Sequence, residues 1–172
     1  MSEFHPAYER YLTAVTAYAE MCSSNPMEWN RTDADNFAEL MDLLQRPAEQ
    51  GDRYCQYALA TILHMGLTAV SEEEFMATRH KASEAATRWW LAAAKQGFWP
   101  AVDNLLTSGT GDEAQRIRDV FGTIKAQRKD LIGSSHGMPV HGAAIMQELN
   151  WRLYGKVLDD RLPDRPTTDS SS

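Results

Sequence analysis

The stretch RWWLAAAKQGFWPA, Arg88 to Ala101, holds three of the chain's five tryptophans within eleven residues. It admits two readings: an aromatic site for a ligand, or the joint between two packed helices. Ala86, Ala93 and Ala94 let neighbouring helices approach closely. Trp89 and Trp90, adjacent on the helical wheel, widen the apolar stripe so that one helix touches two others. Gly97 permits the positive-φ conformation that ends a helix, and Pro100 suits the first turn of the next one.

A sister of this joint lies 46 residues earlier, where PAEQGDRYCQYALATILHMG (47–66) aligns with AAKQGFWPAVDNLLTSGTG (93–111). Ala48, Gln50 and Gly51 fall on Ala94, Gln96 and Gly97; Cys55 falls on Ala101 and Leu59 on Leu105, while Leu43 and Leu44 precede them as Trp89 and Trp90 do. A helix, turn, helix unit therefore occurs twice, and Trp89 and Trp90 read as core.

Taken in order, Ala86, Trp89, Trp90, Ala93, Ala94, Gln96 and Gly97, with Gly51, Cys55, Gln56, Tyr57, Leu59 and Gly66 opening a full repeat, resemble the Sel-one-like repeats, a bacterial and eukaryotic branch of the tetratricopeptide-type α-solenoids. The resemblance covers about residues 40–106. Pro47 departs from it by standing where the family favours alanine, the Val70 to Lys81 region is longer than usual, and no repeat is visible beyond Ser134. It implies a short right-handed α/α solenoid of antiparallel helix pairs with capping helices, and an adaptor or scaffold role. Solenoids expose a concave surface for partners, and their end repeats need polar caps.

The rest of the chain reads as helix. Tyr8, Tyr11, Leu12, Val15, Ala19 and Cys22 share one face of a first helix behind Pro6. Thr32 and Asp35 signal the start of a second, with Phe37, Leu40, Met41 and Leu44 inward, and Pro47 is expected to stop or kink it. Asp52 to Gly66 forms the third. Ser71 with Glu74 makes a capping box for a long helix to Gln96. Pro100 to Leu106 follows. Ile117, Val120, Phe121, Ile124, Leu131 and Ile132 then predict a helix weakened by Gly122, and Ala143 to Asp160 a last one burying Ile145, Leu149, Leu153 and Val157. No alternating apolar run suggests a strand, so the fold is all-α. A single helical-repeat domain is expected over residues 1–162, with a disordered polar tail at 163–172.

Charge limits the function. Residues 1–52 carry ten acidic and three basic side chains, and the net charge is −7. That opposes general nucleic-acid binding, which needs a basic stripe to displace counterions. No signal-peptide pattern and no run of roughly 20 apolar residues is seen, so a cytoplasmic protein is expected, with Cys22 and Cys55 unbridged.

Candidate partner contacts are the large polar or aromatic residues off the apolar stripes: Tyr54, Tyr57, His64, Arg79, Arg88 and Trp99. The densest acidic patch, Asp33, Asp35, Glu39 and Asp42, suits a basic protein or peptide. Glu72 to Glu74 read as a helix first turn, and Arg116, Arg118, Lys125, Arg128 and Lys129, interrupted by acids, as a solvated face. No cofactor or metal is expected, because the loop that holds His136 and His141 offers no Asp or Glu ligand and no catalytic spacing. These observations favour a non-catalytic interaction module. An immunity protein that neutralises a toxin or secreted effector is the narrower alternative, and an enzyme built on the His136/His141 loop the rival from another class.

Overall fold

The computed structural model describes residues 3–24, 29–131 and 142–155. Among them are seven α-helices: α1 (Pro6–Ser24), α2 (Arg31–Glu49), α3 (Arg53–Met65), α4 (Glu72–Ala94), α5 (Trp99–Ser108), α6 (Gly111–Gln127) and α7 (Gly142–Tyr154). Each helix packs against the next in the chain, and α1 also meets α3 as α4 meets α6. No strand occurs among the described residues.

Local chemistry sets the helix ends. The Asp52 side chain accepts from the backbone N–H of Cys55 and starts α3. Ser71 Oγ accepts from the N–H of Glu74 at 3.2 Å, and the Glu74 carboxylate accepts from the N–H of Val70, so the capping box of α4 reaches back one residue further than Ser71 itself. The two sister joints close in the same way. Asp52 N–H donates to the Pro47 carbonyl and Gly51 N–H to that of Ala48; Phe98 N–H donates to Ala93 and Gly97 N–H to Ala94. This is the Schellman pairing, with Gly51 at φ 97° and Gly97 at φ 81° supplying the left-handed residue.

Burial repeats with the same offset. Leu44 and Trp90, Ala48 and Ala94, Cys55 and Ala101, and Leu59 and Leu105 are all buried. The core forms two clusters. One joins Tyr8 and Tyr11 of α1, Phe37, Leu40 and Leu44 of α2, and Cys55, Leu59 and Ile62 of α3. The other joins Trp90, Val102, Leu105, Ile117, Ile124, Met146 and Leu149 across α4 to α7. Helix α3 is the wall between them: Ala60 belongs to the second cluster, and Trp89 packs against both.

Four expectations are corrected. Pro47 does not stop its helix, which runs on to Glu49; so near the C-terminus it removes a single ladder bond, and its carbonyl still closes the Schellman turn. The cap of α2 is Asn30, whose side chain accepts from Asp33 N–H at 2.8 Å, two residues before Thr32. Only the first two turns of α1 are buried, at Ala7, Tyr8 and Tyr11; Leu12 is 39% exposed and Ala19 lies at the surface, because among the described residues this helix packs mainly on α2 and α3. Helix α6 ends at Gln127, and Leu131 reaches the core from a separate 3-10 turn, Lys129–Leu131. Ile132, Val157 and the tail at 163–172 lie outside the described residues.

Candidate partner-binding surface

The aromatic candidates sit in the frame that holds the helices together. Tyr54 is half-buried, with ring centroids 4.9 Å from Phe4, 5.3 Å from Tyr8 and 5.1 Å from Phe98. Tyr57 packs edge-on against Phe98, and its hydroxyl accepts from Asn104 Nδ2 at 3.4 Å. Trp99 is half-buried, 6.0 Å from Phe121. His64 lies 5.0 Å from Trp90 between α3 and α4; among the described residues neither His64 Nδ1 nor Trp90 Nε1 has a hydrogen-bond partner. Burial lowers the His64 pKa from 6.5, because the charged ring loses hydration there.

Sequence reasoning passed over the polar clasp that ties the sister joints together. Gln56 is 5% exposed; its Nε2 donates to the Ala48 carbonyl at 3.0 Å in the first joint, and its Oε1 accepts from Gln96 Nε2 at 2.9 Å in the second. Arg53, also buried, donates to the Gln96 carbonyl at 3.5 Å and lies over the rings of Tyr54 and Phe98. The available signal was a glutamine beside Cys55 on an otherwise apolar stripe, since a buried amide needs partners for both ends.

The charged candidates divide by surroundings. Arg79 and Arg88 are exposed on α4, and Arg79 contacts the Met76 sulfur at 3.7 Å. Asp33 is half-buried beside its cap partner Asn30. Asp35, Glu39 and Asp42 are exposed on one stripe of α2, and Glu39 meets Arg10 of α1 at 3.5 Å. Next to that stripe runs a groove of about 570 Å3 between α1 and α2, with Thr13, Ala14, Ala17 and Leu40 in its lining. Among the basic residues of α6, expected on a solvated face, Arg118 donates to the Leu105 and Gly109 carbonyls at 3.0 Å each and Arg116 to the Leu153 carbonyl at 3.2 Å. They cap helix ends, as unpaired terminal carbonyls require.

Burial pushes the Cys55 thiol up to about 12, with Asp52 adding to the shift, so this sulfur is not a nucleophile near neutral pH. Among the described residues no three His, Cys, Asp or Glu side chains gather as a cation site requires, and no helix is long and apolar enough to cross a membrane. His136 and His141 lie outside the described residues. No family model matches the chain, and neither a curated protein nor a solved structure matches it.

Proposed function

We propose that the chain is a protein–protein interaction module of the Sel-one-like kind, acting in the cytoplasm as an adaptor or regulator. In this reading the helices form a right-handed stack of antiparallel pairs, with α1 and α7 as its caps and a protein or peptide as its ligand. The observation that carries it is the repeated joint: two Schellman turns 46 residues apart, with matching buried positions and the Gln56 clasp between them. Stacked repeats of one unit give extended surfaces suited to helical or extended peptides.

The acidic stripe Asp35, Glu39 and Asp42 favours a second, narrower version, an immunity protein for a basic toxin or effector. Affinity capture from the native cell with the full chain, followed by mass spectrometry, tests both. The module reading expects at least one protein retained by the wild type and lost either by R79E/R88E or by D35K/E39K. The immunity version further expects that protein to be a basic toxin encoded nearby. Equal recovery of the same proteins by all three chains counts against both versions.

A further inference from the structure

The face presented by α1 carries an inference about what the module binds, and it rests on the interaction-module reading. From Tyr11 to Ala19 this helix has no charged residue, although Leu12, Thr13, Thr16, Ala17 and Ala19 are exposed. Thr13 and Ala17, one turn apart, form a ridge of small side chains. On one side lies the groove against α2, floored by Ala14 and Leu40; on the other lies a second groove of about 500 Å3 bordered by Leu12, Thr16 and Glu20. A low i, i+4 ridge between two grooves is the surface into which another helix interdigitates its own ridges, at an axis separation of about 8–10 Å. The first groove follows α1 from Pro6 to Ala17, about 16 Å, or three turns of an incoming helix.

Charge decides which helix fits. Arg10, the basic residue in the first groove, is held by Glu39. Asp35 and Asp42 flank Glu39 along the same stripe of α2, and neither has an ion-pair partner among the described residues. A second copy docked by a two-fold axis that crosses α1 would set this acidic edge against itself, which like charges oppose. We infer that the α1/α2 face is a docking site for an amphipathic helix of another protein, with a small apolar stripe laid on Thr13 and Ala17 and Lys or Arg facing Asp35, Glu39 and Asp42.

The test uses the full chain and three fluorescein-labelled synthetic peptides of about 18 residues, enough to span the groove as a helix. The first has a Leu/Ala stripe flanked by Lys and Arg, the second the same composition with the stripe scrambled, and the third Glu in place of every base. Anisotropy should give binding of the first peptide alone. Its affinity should fall at least tenfold in A17R, a substitution at an exposed position that blocks the ridge, and about tenfold in D35K/E39K. Amide NMR shifts should cluster on α1 and α2. Equal binding of the first two peptides, equal affinity for A17R with its helical circular dichroism intact, or binding by none of the three overturns the proposal. A wild-type dimer by light scattering that A17R dissociates overturns it in favour of a second copy. Shifts confined to α3–α5 overturn the groove but leave the module reading standing, which falls only on the capture experiment.

Discussion

At the scale of single residues, two polar side chains between the helices, Gln56 buried and His64 half-buried, can be tested directly. Gln56 satisfies the Ala48 carbonyl and the Gln96 amide, so truncating it strands both groups between the joints. An unsatisfied buried group costs about 1–3 kcal/mol, and denaturant unfolding of Gln56→Ala should show a loss of at least that size. A loss under about 0.5 kcal/mol, the range of ordinary surface changes, would mean the clasp holds nothing. His64 gives a pH signature. Its folded pKa lies below the unfolded 6.5, so the unfolded chain binds the proton more readily. The stability due to the neutral ring is therefore present above pH 6.5 and is lost as pH falls below that value, until the folded ring also protonates. Melting temperatures between pH 7 and pH 5 should drop more steeply for the wild type than for His64→Phe, which keeps a ring against Trp90; parallel curves would remove His64 from the account.

At the scale of elements, glycines separate backbone conformation from packing. Gly51 and Gly66 both have positive φ, but a Cβ at Gly51 meets open space whereas one at Gly66 runs into the Phe75 ring. Gly51→Ala should cost about 1–2 kcal/mol, the price of a left-handed L-residue, and Gly66→Ala clearly more. Similar losses would show that Phe75 moves aside freely. Gly122 is the opposite case: it is exposed in the middle of α6, with open space around its added Cβ. Gly122→Ala should stabilise the protein by about 0.5–1 kcal/mol and raise its melting temperature; a lower one would assign Gly122 a role in α6 beyond weakening it.

How legible these elements were in the sequence depends on how local their causes are. The joints could be read because a glycine, the alanines before it and the apolar spacing after it are all set within one helix and its turn. The start of α2 could not, since Asn30, Thr32 and Asp35 are all competent caps and tertiary packing selects among them. Likewise, Leu12 and Tyr11 carry equal weight in a periodicity. Which of them is buried depends on the direction from which α2 and α3 approach.

At the scale of the whole molecule, the aromatic candidates and the acidic ones part company. Tyr54, Tyr57 and His64 look like contact residues in the sequence because their polar atoms sit off the main stripe, but α3 faces two cores and therefore has two stripes; Trp99, at the start of α5, packs against the second core. That second stripe is invisible until the fold is known. The acidic stripe of α2 was legible, because charge needs no packing to be seen, while the uncharged face of α1 beside it was not, because Leu12 and Ala19 fall on the apolar stripe and Thr13, Thr16 and Ala17 carry no signal of their own. Together they make a surface where exposed small side chains and unbalanced charge coincide. Hydrogen exchange of the chain alone and in complex with a captured partner tests this most directly. New protection should concentrate in α1 and α2, with α4 unchanged; protection confined to α4 to α7, or none anywhere, would rule out this docking face.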